Sequence, residues 1–230
     1  DNTDGYGPNT GTGICAITTS GYGDASTASG VNDFGGGAGH GGAGAASDAS
    51  GTGATYGSNT APVLLGSGGG GGASTGNGVG GNGGSRIRLD VTGTLDIEGT
   101  VSVDGSVGGS ATIAGGGGSG GSVYITTGTL DGGGSISADG GTGGNSTNSN
   151  SQDGGGGGGG RIAVYYDTNT AFSLAAILAD AGLKGSGATN ADDGSAGTTF
   201  ILNRKTDDGA GDLRITSGLD LVTGTDLART

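Results

Sequence analysis

Apolar residues come in short alternating runs along this chain. Ile87/Leu89/Val91, Leu95/Ile97, Val101/Val103, Ala111/Ile113 and Val123/Ile125 each place a hydrophobic side chain at every second position, with polar or small residues between. A period of two marks a half-buried strand, whereas a helix face needs spacings of three and four. The pattern therefore predicts short strands separated by Gly, Ser, Asn and Asp. Thr92–Ser106 (TGTLDIEGTVSVDGS) also aligns without gaps on Thr127–Gly141 (TGTLDGGGSISADGG), an internal repeat of about 35 residues. The opening strand recurs as Gly83-Gly-Ser-Arg-Ile-Arg-Leu, Gly120-Gly-Ser-Val-Tyr-Ile, Gly159-Gly-Arg-Ile-Ala-Val and, more weakly, Gly197-Thr-Thr-Phe-Ile-Leu.

One such strand cannot bury its apolar face alone, so the four units are expected to stack as the coils of an all-β parallel solenoid with long Gly-rich loops. Its inward row is expected to hold Ile87, Leu89, Val101, Val103, Val123, Ile125, Ile136, Ile162 and Val164. The repeat domain is expected over 61–230. Residues 1–60 form a Gly-rich leader with one strand candidate, Gly13-Ile-Cys-Ala-Ile-Thr-Thr, expected to join subunits by strand addition, the other reading being a cap folded back on its own solenoid. The glycine-rich stretch from Phe34 to Gly44 is expected as loop. Long runs such as Gly154–Gly160 admit two readings, flexible excursions or extended backbone laid against the solenoid. Ala171–Gly182 has roughly helical spacing at Phe172, Leu174, Ile177 and Leu178. Its Ala176-Ile-Leu-Ala-Asp nevertheless occupies the repeat position of Ser135-Ile-Ser-Ala-Asp, which favours strand.

Composition by itself argues against any fold. Glycine supplies 64 of 230 residues and apolar residues only 30%, too little hydrophobic surface to offset the ordering entropy of so flexible a chain. The order of the residues is the stronger signal, because what apolar surface there is has been gathered into strands. Net charge is −13 with 8 Lys+Arg scattered along the chain, which disfavours nucleic acid and anionic membranes as partners. The longest apolar run, Leu174–Ala179, is far too short to span a bilayer. The chain begins at Asp1 and lacks methionine, as expected of a processed or excerpted product, and an exported surface location is inferred. Cys15 is the only cysteine. It is expected to be buried in the Ile14–Ile17 run, the other reading being a bond between molecules.

The motif order from Gly37 to Tyr166 carries a resemblance. It runs GxGHGGxG at Gly37–Gly44, then Thr55-Tyr-Gly-Ser, Pro62 and Leu65-Gly-Ser-Gly-Gly-Gly-Gly, followed by GGSGGSVYI, ISADGGTGG and GGGGGGRIAV. This resembles the glycine-rich repeat region of large cell-surface proteins and is similar in style to adhesin and autotransporter passengers with right-handed β-helix folds. The resemblance implies an extracellular or cell-surface structural protein, with copies of itself or cell-surface glycans as partners.

Motifs for chemistry are sparse. Gly76-Asn-Gly-Val-Gly-Gly has dinucleotide-turn spacing, but a strand follows it, so no helix N-terminus is available for a pyrophosphate. His40, the only histidine, would have to serve any Ser-His-Asp or histidine–metal arrangement. Asn2-Thr-Asp4, Gly39-His-Gly41 and Arg86-Ile-Arg88 follow the motif order of β-helix pectinases. The paired carboxylates that glycoside hydrolysis needs are missing between the first two, where Asp24 and Asp33 stand alone, and Asp192-Asp193 and Asp207-Asp208 lie far downstream. Asp207–Asp212 resembles a calcium loop, in one copy. Thr92-Gly-Thr94 and Thr127-Gly-Thr129 make two threonine rows, too few for an ice-binding array. Asn145-Ser-Thr147 is a lone glycosylation acceptor. The expected function is a non-enzymatic, self-associating subunit of an extracellular filament, sheath or adhesive layer, with no catalytic residues, cofactor or metal assigned. The alternatives are a polysaccharide-acting β-helix enzyme or a calcium-dependent surface-binding module.

Overall fold

The computed structural model describes residues 34–47, 52–72, 78–147, 153–187 and 191–206, and the backbone of 212–215. Asn2–Asp4, Cys15, the leader strand, Asp24, Asp33 and Asp207-Asp208 lie outside them.

Regular structure is all-β. The long strands β1 (Arg86–Asp96), β3 (Ser122–Asp131), β5 (Arg161–Asn169) and β7 (Thr198–Asn203) lie parallel, in that order, and β8 (Asp212–Ile215) adds antiparallel to β7. The short strands β2 (Thr100–Ser102), β4 (Ser135–Ser137) and β6 (Ile177–Leu178) form a second parallel sheet. Each of the first three units thus places one strand in each sheet. Leu174–Ala176 is a single 3-10 turn, and Ile136 pairs with Ile177 as the repeat alignment expects. No helix of the described residues is long and apolar enough to cross a membrane.

Alternation puts one face of each strand inward. Val103, Val123, Ile125, Ile136, Ile162 and Val164 are buried in one cluster with Leu130, Phe172, Ile177 and Ile201, and Ile87, Leu89 and Val101 pack half-buried against it. All nine expected inward residues therefore meet the same core. The apolar row also sets the register. A match of the Gly-Gly-Ser triplets would put Ser85 beside Ser122, but Arg86 pairs with Ser122 and Ile87 with Val123. A one-residue slip would turn the isoleucine out to solvent.

The strands of the described residues do not by themselves close a solenoid. Between β2 and β3, and again between β4 and β5, the chain runs through glycine segments that bond to one another. Along 154–160 the N–H groups of 154, 157 and 160 donate to the carbonyls of Gly144, Gly141 and Ala138. Those of 155 and 158 go to Gly35 and Ala38, and those of 156 and 159 to Asp192 and Ser195. The same neighbour returns every third residue, the repeat of a polyproline-II helix rather than a strand. The carbonyls of this segment accept from three further stretches, at Gly117 and Gly120, at Gly42 and Ala45, and at Gly182 and Gly185. One glycine segment is thus ringed by six others, and 115–121 is surrounded in the same way.

This packing explains why glycine is required. A Cβ on Gly156, Gly157 or Gly158 would fall on the carbonyl oxygen of Gly182, Gly118 or Gly42 respectively. The segments are buried yet hydrogen-bonded, which meets the demand that interior peptide groups be paired. Gly154–Gly160 is therefore extended, buried backbone. The stretch from Phe34 to Gly44, expected as loop, is buried in the same bundle, through Gly35 N–H to Ala114 O and Gly37 N–H to Ala45 O. Described residues before position 60 bond to those after it, through Gly41 N–H to Gly159 O and Arg161 Nε–H to Tyr56 O.

Candidate functional site

A buried polar cluster lies where the glycine bundle meets the start of the large sheet. His40 is fully buried, its Nδ1 2.8 Å from the Gly120 carbonyl, and its ring stacks against Tyr56 at 4.6 Å. A carbonyl can only accept, so Nδ1 carries the proton and Nε2 is left as a buried lone pair with no partner. Burial holds the imidazole down at about 4; the Gly120 carbonyl pulls it upward and the Arg161 guanidinium pushes it further down. Arg161, at the first position of β5, is itself buried. Its Nε–H donates to Tyr56 O at 2.7 Å, and its terminal nitrogens donate to Thr198 Oγ1 at 3.1 Å and His40 O at 3.3 Å. No carboxylate among the described residues pairs with it, and burial lowers it to about 10. Gly57, with φ +84, lets the chain turn close over both side chains. This cluster ties residues 40 and 56 to β5 and β7. His40 faces carbonyl and ring rather than solvent, so in this conformation it is out of reach of a polymeric substrate.

A second arrangement follows the repeat. Asp104, Asp139 and Asp180 occupy the same corner of successive units. Asp104 Oδ1 accepts the Asp139 N–H at 2.8 Å, and Asp139 Oδ1 accepts the Asp180 N–H at 2.7 Å. Ser110, Asn145 and Ser186 repeat the device: Ser110 Oγ accepts the Asn145 N–H at 3.0 Å and Asn145 Oδ1 accepts the Ser186 N–H at 2.9 Å. Burial raises Asp139 above the usual carboxylate range; the Asp180 N–H opposes this, and the charges of Asp104 and Asp180 add to it. Among the described residues no group of three or more His, Cys, Asp or Glu is placed to hold a metal ion. The Asp207–Asp212 loop falls outside that statement.

The outer face of the large sheet carries an aromatic row. Tyr124 and Tyr165 meet edge to face at 5.6 Å, Phe200 lies 5.6 Å beyond Tyr165, and the Arg88 guanidinium sits 5.2 Å over the Tyr124 ring. Tyr165 donates to Thr60 O, so residues 56–65 run as a strap across the start of the strands. Between this strap and β1 lies a recess of about 330 Å³ lined by Pro62, Val63, Arg86, Ile87 and Arg88.

The remaining motifs scatter. Arg86 and Arg88 are exposed on β1 whereas His40 is buried, and Asn2–Asp4 lie outside the described residues. Thr127 is buried and donates inward to carbonyl oxygens, so Thr127-Gly-Thr129 is not an outward pair. Asn145 is exposed. Sequence reasoning missed the role of Arg161, which reads as one more strand-opening residue. The aspartate ladder was detectable, since Asp recurs at one position of three units. Comparison of the chain with protein-family models, with curated proteins and with solved structures finds no match.

Proposed function

We propose that the protein is a non-enzymatic structural subunit of an extracellular filament, sheath or adhesive surface layer. In this reading the stacked units form a β-solenoid whose remaining wall is the glycine bundle. The observation that carries it is the bundle itself. Where an enzyme interior is lined by side chains, here the glycine bundle is backbone bonded to backbone, and each Cβ position along 154–160 falls on a neighbouring carbonyl. Backbone packed this closely leaves no room for a substrate within the bundle, which suits a structural role. The burial of His40 in neutral form also weighs against the hydrolase reading. For the adhesive variant, with glycans as partner, the row Arg88, Tyr124, Tyr165 and Phe200 supplies amphipathic rings and a cation on an outward face. Acidic charge and scarce lysine support export.

Negative-stain microscopy of the purified chain, paired with sedimentation, tests the reading. Filaments or sheets are expected; a chain that stays monomeric up to high concentration in physiological salt would overturn it. Glycan turnover that disappears in His40→Ala would favour the enzyme instead.

A further inference from the structure

Part of the strap is tied down lightly. Tyr56 N–H donates to His40 O and Gly66 N–H to Gly84 O, and between these two points the main chain makes no bond to main chain among the described residues. Ala61 N–H donates to Ser58 Oγ, within the strap itself. Over 57–61, Gly-Ser-Asn-Thr-Ala, every residue is exposed or half-exposed, whereas Pro62, which follows, is fully buried. Two hydrogen bonds hold this stretch to the sheet. Tyr165 donates to Thr60 O at 2.6 Å, and Thr198 Oγ1 donates to Asn59 Oδ1 at 3.4 Å. Gly57, with φ +84, stands as a pivot at one end, and the seated Pro62 is the anchor at the other.

What this short stretch covers is His40. A Cβ built on Gly57 would lie 3.6 Å from each of His40 Nε2, Arg161 Nε and Leu64 Cδ1. The strap backbone therefore passes over the one ring nitrogen that has no partner. The titratable groups facing the imidazole are Tyr56, on the strap, and Arg161, on β5. Segment 115–121 offers only the Gly120 and Gly121 carbonyls, and Thr198 of β7, which bonds Arg161, is uncharged. A proton on Nε2 would create a buried donor without an acceptor, beside a guanidinium that no carboxylate among the described residues balances. Water supplies the missing acceptor once 57–61 lifts. Lifting breaks two hydrogen bonds at the surface and leaves both sheets intact.

We propose that residues 57–61 are an acid-released lid: protonation of His40 lifts them about Gly57 and Pro62 while the sheets and the glycine bundle stay folded, and the His40–Arg161 pair opens to solvent. Closed, His40 is held at about 4; opened, it returns towards the ordinary 6.5, so the open form binds the proton more readily. The opening equilibrium is therefore flat above pH 6.5, rises roughly 100-fold between pH 7 and pH 4, and levels off below.

The test uses the full chain, with a nitroxide on Ala61→Cys in a Cys15→Ser background. The mobile fraction of its spectrum is expected to grow from pH 7 to pH 4 while near-ultraviolet circular dichroism stays constant, and to remain flat in His40→Asn. His40 is the only histidine, so its imidazole resonance reports the titration directly. Tyr165→Phe removes the donor to Thr60 O and is expected to raise the His40 midpoint by roughly half a pH unit or more, because a looser lid opens with less acid. Static burial of His40 predicts no such shift. A mobile fraction indifferent to pH, one that grows equally in His40→Asn, or a His40 midpoint unmoved by Tyr165→Phe would overturn the proposal. So would loss of near-ultraviolet dichroism in step with the His40 titration, which would assign protonation to unfolding of the whole chain. Should His40→Asn fail to fold, the shift in Tyr165→Phe decides.

Discussion

Gly157 passes so close to Gly118 that a methyl group on it would fall on the Gly118 carbonyl oxygen, while its own N–H donates to Gly141 O at 2.9 Å. Backbone approaching backbone in this way leaves nothing flexible to move aside. Gly157→Ala is therefore expected to cost at least about 3 kcal/mol or to prevent folding. Gly93, in β1, has nothing within 4 Å of its Cβ position, so Gly93→Ala should stay within about 1 kcal/mol of the parent. Urea unfolding of the two variants decides the matter; equal midpoints would mean that the bundle is not packed as described.

His40 gives the fold a pH dependence. Its folded value of about 4 lies below the ordinary 6.5, so the unfolded chain binds the proton more readily. The stability this contributes is complete above pH 6.5 and is lost as pH falls from there through 4, roughly 3 kcal/mol in all. His40→Asn keeps a donor for Gly120 O but cannot titrate. The difference in unfolding free energy between parent and variant is expected to shrink steadily between pH 6.5 and 4. A constant difference would show that His40 is not held neutral by burial.

The aspartate ladder carries the opposite sign. Asp139 is raised, so the folded state prefers its protonated form. That contribution is present below the unfolded value of 3.8 and is lost as pH rises through the higher folded one. At pH 7 Asp139→Asn removes a half-buried charge flanked by Asp104 and Asp180, yet leaves an oxygen for the Asp180 N–H. It is expected to raise Tm by roughly 1–3 °C at pH 7 and by nothing at pH 3. A lower Tm at pH 7 would mean that the charge strengthens the Asp180 bond more than burial and repulsion weaken it.

The alternation of Ile87/Leu89, Val123/Ile125 and Ile162/Val164 determined the strands, their inward faces and their stacking. Side-chain period is a local property, and a row of apolar residues has only one face to hide. The repeat likewise determined that Ile177 would pair beside Ile136 despite helical spacing around it. Cooperation between distant segments lay beyond the reach of the sequence. Gly154–Gly160 has the composition of a flexible linker and becomes buried because segments drawn from residue 35 to residue 198 supply a partner for each N–H and C=O. Glycine's identity says only that no side chain stands in the way. Whether another backbone fills that space is decided by what the rest of the chain brings there. The same holds for His40, a loop residue by its neighbours, which is neutral and enclosed only because Gly120, Tyr56 and Arg161 converge on it in three dimensions.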